Sequence, residues 1–398
     1  MRKSGFLSAC LAVVLAAVGC QDQAVTSPTS PGAPSRAAST QAAARIPGPG
    51  VDPGRIRVPQ GLVDEHMGGA GRVINPGDYQ CSNDSPVNRI YSDNLYRIYN
   101  QEPDIYLDLY FLDGFNLPGY EAVVYGAPGK KEQYYGYTGA FTNALIRTER
   151  DVKRFWDIPS ADIRMVAMHG TVLADSARVA RTYREVYGVP SPYDALYASI
   201  LKGDVARSRT LDGGNNPVLT FNAFAFPAYQ DQSISFSPAI VMGDGIMEAY
   251  ATLGFGDVAP QAIYAHEFGH QIQFANGYFG DRYATTGSGA ERTRYTELMA
   301  DAYSGYYLTH KRGAAMNRHR VAEFLEVFFQ IGDCYFAYAG HHGTPNQRMR
   351  AADFGFDVAD QAQKQGQILT SAQFHDLFVA AYPGITAPDA VAAAASGR

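Results

Sequence analysis

The sequence predicts an α+β fold, mainly helical with a small sheet, and three observations carry that reading. Apolar residues recur at helical spacing through residues 260–382. Two segments just upstream, 219–226 and 233–242, read as β and close on Gly243-Asp244-Gly245. Between 75 and 230, Tyr-dense segments such as 106–110 and 134–137 are punctuated by Gly and Pro, which fits short strands and loops.

The 398 residues allow a sizeable core plus appendages, and 46% hydrophobic with 18% charged residues is a globular balance. With 33 basic against 39 acidic side chains and a net charge of −6, nothing global draws the chain to nucleic acid. Arg2 and Lys3 precede an apolar run, 6–18, that ends in small residues and Cys20. Such a run is too short to span a bilayer, which takes about 20 residues, but suits the roughly 7–15-residue core of a cleavable signal. Ala17-Val18-Gly19-Cys20 resembles a bacterial lipobox, with Ala17 where Leu is usual. The resemblance implies removal of residues 1–19 and lipidation of Cys20; an ordinary signal with an incidental Cys is the alternative. Residues 20–60, rich in Ser, Thr, Pro, Ala and Gly, read as a flexible tether. A single domain over 61–383 follows, with a Tyr-rich half (61–230) and a second half (231–383), and 384–398 is an Ala-rich frayed tail. Only Cys81 and Cys334 fall in the folded part, so one disulfide is the maximum; joined or separately buried thiols both fit.

Further elements follow from periodicity. Residues 149–187 read as helical, with Phe155, Met165, Val166, Met168, Val179 and Tyr183 inward and Gly188-Val189-Pro190 as the stop. His169 inside that stretch reads as a core histidine or a catalytic one. Helices are expected at 260–276, 290–311 and 317–331, from near Pro345, and at 371–382. Pro260 suits a first turn, and Gly277 a left-handed terminus. The strand at 233–242 is expected to be an edge on which an extended peptide adds by backbone hydrogen bonds.

Chemistry concentrates in His266-Glu267-Phe268-Gly269-His270. Histidines four apart on a helix share a face and can reach one ion, and the intervening Glu267 is placed to take a proton from water. Zinc suits two nitrogens and an oxygen. Asn276 and Gln273 stand where the extended motif needs a third His and a Gly, so that subclass is excluded. The third ligand then comes from Glu297-Leu298-Met299-Ala300-Asp301: Glu297 ligates, and Asp301, one turn on, accepts from the outer nitrogen of a ligating His. Asp281 is a rival ligand. Glu248, in Gly245-Ile246-Met247-Glu248-Ala249, partly matches a substrate-amine anchor of one aminopeptidase family.

Three blocks in order, HEFGHQIQ (266–273), ELMAD (297–301) and HGTPNQR (342–348), resemble the bacterial neutral zinc metallopeptidase family. The resemblance covers about 260–357, departs where two acidic residues are often found and Asp333-Cys334 stand here, and says little about 60–230. It implies a zincin-like metallopeptidase with one Zn2+ per chain on His266, His270 and Glu297. In the third block His342 can stabilise an oxyanion, with His341 a weaker competitor; equally, the block can be a helix cap whose Arg348 pairs with an acid. The expectation is a peptide- or protein-hydrolysing enzyme with Glu267 as general base, anchored to a bacterial membrane at Cys20 or secreted. The alternative is a surface lipoprotein that binds a glycan or partner through its tyrosines, its zinc site structural or degenerate.

Overall fold

The computed structural model describes residues 85–387 apart from 130–132, 231–233, 336–337 and 365–366, so the export signal, Cys20, the tether and Cys81 lie outside the described residues. The chain is mostly helical with a small sheet. Its elements are α1 (Pro86–Gln101), α2 (Pro103–Phe111), α3 (Leu117–Tyr125), α4 (Thr142–Phe155), β1 (Arg164–Met168), α5 (Ser176–Glu185), α6 (Tyr193–Arg207), β2 (Ala223–Phe226), β3 (Tyr229–Gln230), β4 (Ser235–Phe236), β5 (Ala239–Gly243), α7 (Asp244–Thr252), α8 (Ala259–Asn276), α9 (Arg282–Thr285), α10 (Gly289–Thr309), α11 (Arg318–Gln330), α12 (Pro345–Lys364) and α13 (Ser371–Ile385). Among the described residues no helix is long and apolar enough to cross a membrane.

Three sequence expectations are corrected. The Tyr-dense segment 106–110 is helical, whereas 134–137 is loop and turn as expected: Pro86, Pro103 and Pro118 occupy first-turn positions, where a missing N–H costs nothing, so they start helices rather than break strands. The helical reading of 149–187 is interrupted by β1, because the short apolar run Met165–Met168 satisfies either period. The segment 233–242 is not one edge strand. It splits into β4, which pairs with β3, and β5, the centre of a three-stranded sheet ordered β1-β5-β2. β5 runs parallel to β1 (Met168↔Gly243) and antiparallel to β2 (Ala223↔Met242). The last helix also continues through Pro383 to Ile385, past the expected end at 382.

The sheet lies between two apolar layers. Met165, Ala167, Ile240 and Met242 join the main core with α8 and α10, while Val166, Met168 and Val241 pack on α3 residues Ala122 and Val123. A second core gathers α1, α2, α5 and α6 around Ile98, Leu109, Tyr183, Tyr197 and Leu201. α8 is buried on nearly every face, as a helix clamped between a sheet and other helices must be. Its buried Gln271 donates to Phe226 O at 3.0 Å and Ala239 O at 2.9 Å, tying the helix to the sheet.

Two close helix crossings set the geometry of the site. A Cβ on Gly269 would lie 2.9 Å from Ala300 Cα, so glycine is what lets α8 lie directly on α10. Gly305 and Gly355 act reciprocally: a Cβ on either would come within 2.2 Å of a carbonyl oxygen, Ala352 O or Ala302 O, across α10 and α12. The three helices that carry the three sequence blocks are thereby pressed together.

Candidate metal centre

α8 starts with Pro260 in its first turn and ends on Gly277 in the left-handed conformation (φ 73°), as its sequence expects. α10 starts on a reciprocal cap between Ser288 and Glu291. Where they cross, His266, His270 and Glu297 meet, each about 2% exposed. His266 Nε2 is 3.2 Å from His270 Nε2 and 3.3 Å from Glu297 Oε2, and His270 Nε2 is 3.3 Å from Glu297 Oε1.

The outer ring nitrogens fix what faces inward. His266 Nδ1 lies 2.8 Å from Asp301 Oδ1, a carboxylate that only accepts, so Nδ1 carries the proton. His270 Nδ1 lies 3.0 Å from Gln273 Oε1. The Gln273 amide is oriented by its own Nε2, which donates to Thr296 O at 2.6 Å, so Oε1 is the atom turned to the ring. Both Nε2 atoms therefore present lone pairs to a common point, together with a carboxylate. Three electron-pair donors at van der Waals distance repel one another unless a cation lies among them, and this buried group can hold a metal ion.

Arg348 joins the second and third blocks. At 1% exposure it donates twice to the fully buried Asp301, Nε to Oδ2 at 2.8 Å and Nη2 to Oδ1 at 2.7 Å, and passes 3.8 Å from Glu297 Oε2. The cap reading of this block holds in detail: Gln347 N donates to Thr344 Oγ1 at 3.2 Å, and Gln347 Oε1 accepts from Thr344 N at 3.1 Å. His342 is buried as well. Burial lowers its proton affinity, but the nearby Glu297 and Asp333 carboxylates more than offset this and raise it.

Of the residues singled out from sequence, His266, His270, Glu297 and Asp301 converge as expected. Glu267 is fully buried on the same turn of α8, one position after His266 and three before His270. Asp281 is not a ligand: its Oδ2 accepts from Tyr295 Oη and faces His375 Nε2, both at 2.7 Å. Glu248 is engaged with the backbone of a neighbouring turn. Its Oε1 accepts from the backbone N of Tyr137 at 2.9 Å, holding a turn. His169 pairs with Asp244 at the ends of β1 and β5 and lies under the Tyr134 ring, apart from the metal-binding group. Cys334 is disulfide-bonded, and its partner lies outside the described residues. Gln273 and Asp333 were not anticipated as contributors. The departure from the extended motif at Gln273 was the one signal available for the first. Comparison with known protein families, curated proteins and solved structures finds no match to this chain.

Proposed function

We propose that the chain is a zinc-dependent metallopeptidase of zincin-like fold, with one Zn2+ on His266, His270 and Glu297. The observation that carries this is the convergence of two imidazole nitrogens, 3.2 Å apart, on one carboxylate, whose Oε2 lies 3.3 Å from His266 and whose Oε1 lies 3.3 Å from His270. A tetrahedral ion with bonds of about 2.0–2.1 Å requires ligand–ligand edges of about 3.3 Å. Charge agrees: three buried carboxylates, Glu267, Glu297 and Asp301, stand against one buried guanidinium, Arg348, and a divalent ion balances the remainder. Among the described residues the group has three protein donors, which favours hydrolysis over a purely structural site, since a catalytic ion keeps a position for solvent. The order of the three sequence blocks supports the family resemblance on which the peptide or protein substrate rests.

When bound, the ion polarises the scissile carbonyl and acidifies water. Glu267 accepts the proton at its carboxylate and passes it to the leaving amine. His342, on the loop before α12, donates to the oxygen that gains charge as the carbonyl carbon becomes tetrahedral. Asp301 and Gln273 keep the two ligating rings from rotating, and Arg348 fixes the Asp301 carboxylate in place with two hydrogen bonds. The disulfide at Cys334 supports an oxidising, extracytoplasmic location, either lipid-anchored at Cys20 or secreted. A fragment starting near Arg55 should bind about one zinc and cleave peptides, and Glu267→Gln should keep the metal but lose at least about 10²-fold in turnover. Full activity in that variant overturns the assignment of the base.

A further inference from the structure

The loop between α11 and α12 is closed at its neck and organised by one side chain. A Cβ on Gly332 would lie 2.3 Å from Pro345 N, so the two ends of the loop touch. Asp333 N donates to Gly343 O at 2.9 Å. The Asp333 carboxylate then spans the loop interior: Oδ1 accepts from Tyr335 N at 2.9 Å and faces His341 Nδ1 at 2.5 Å, while Oδ2 accepts from His342 N at 2.8 Å. Oδ2 also stands 3.5 Å from His342 Nδ1, within ion-pair distance. Two outer contacts fix where the loop sits. Thr293 Oγ1, one turn before Glu297 on α10, donates to Ala339 O at 2.6 Å, and Gly343 (φ 108°) packs so that a Cβ would lie 3.0 Å from Leu298. A single carboxylate thus grips the backbone of His342 and faces both adjacent imidazoles, on a loop moored beside the ligand Glu297.

We propose that Asp333 is the positioning residue of the His341-His342 pair, holding the His342 ring with Nδ1 toward its own carboxylate and so fixing the direction in which Nε2 points. A tether serving only the loop would need the carboxylate on the backbone amides of Tyr335 and His342 and no more; here it also meets both rings. The consequence for turnover rests on the peptidase reading, whereas the consequence for the His342 ring does not.

The test uses the zinc-loaded soluble protein, wild type, Asp333→Asn, His342→Ala and the double variant. Asp333→Asn should retain about one zinc per chain and lose about 10–100-fold in kcat with KM little changed. The double variant should be no slower than His342→Ala alone, because two residues acting through one group are not additive. In 15N-histidine spectra, the His342 signals, identified by their loss in His342→Ala, should show a protonated Nδ1 in the wild type and redistribute between the two nitrogens in Asp333→Asn. Multiplicative kinetic losses, or His342 nitrogen signals that do not move, overturn the inference. If the zinc-loaded wild type cleaves no peptide, the peptidase reading falls, and the nitrogen signals alone decide the role of Asp333. Should Asp333→Asn fail to fold, Asp333→Glu, which keeps the charge and displaces it by one methylene, carries the same readouts.

Discussion

Gln273 accepts from the outer nitrogen of His270 and is itself fixed by Thr296 O, so truncating it frees one ligating ring to rotate. Gln273→Ala should lower zinc affinity about 10–100-fold, read by competition with a chromophoric chelator. An unchanged affinity would mean that packing alone orients the ring. The sequence could not assign this role, because a glutamine three positions after a helical histidine fits a solvated face equally well. Two imidazoles four apart around a glutamate, by contrast, already restrict the chemistry. Arg348 was half legible: its pairing with an acid followed from the block, but not which acid. Arg348→Met strands Asp301 as a buried, unmatched charge, and should cost about 3–5 kcal/mol in chemical denaturation. Adding Asp301→Asn should recover much of that loss, and a double variant as unstable as the single one would place the cost in packing instead.

Helices from Ala259 onward were legible from their apolar periodicity, with Pro260 and Gly277 bracketing α8; the structure adds reciprocal boxes at Ser288-Glu291, Thr344-Gln347 and Thr370-Gln373. The helices α1 to α3 were not legible because the prolines at 86, 103 and 118, which read as strand punctuation, sit where helices begin. β5 was taken for an edge because a strand buried at every position has no alternation to show which of its sides is covered. Between α2 and α3, Asp113 adopts φ 53° and is buried, accepting from Tyr187 Oη at 2.7 Å and Asn116 Nδ2 at 2.6 Å. Burial outweighs those donors and raises its pKa from 3.8 to about 6. Because the folded value is the higher one, the contribution is fully present below pH 4 and is lost as pH rises through 6. Asp113→Asn tolerates the same backbone. Relative to wild type its stability should gain, on the order of 3 kcal/mol, between pH 4 and pH 7. Parallel stability–pH curves for the two proteins would show that Asp113 ionises at its ordinary value.

The candidate metal centre is where elements remote in sequence are joined, since α8, α10 and α12 meet through His266, Glu297, Asp301 and Arg348. The two glycine-mediated crossings press these helices together, so the molecule brings three electron-pair donors into close contact as it folds. An unfolded chain spreads those donors over 32 positions and binds an ion far more weakly, which makes metal affinity part of the folding free energy. Free zinc at 100 times its Kd should therefore stabilise the protein by about 2.7 kcal/mol. For a domain of this size that is a rise in Tm of several degrees, at roughly 2–4 °C per kcal/mol. Chelation should lower Tm, titration with zinc should restore it in a concentration-dependent way, and Glu297→Ala should blunt both changes. Gly269→Ala should shift the same curve for a different reason: its new Cβ meets Ala300 and drives α8 from α10, so zinc should stabilise that variant less than wild type even though every ligand is present. If Tm of the wild type were indifferent to chelator and zinc alike, the three side chains would be a buried polar cluster without an ion, and the hydrolytic reading would lose its foundation.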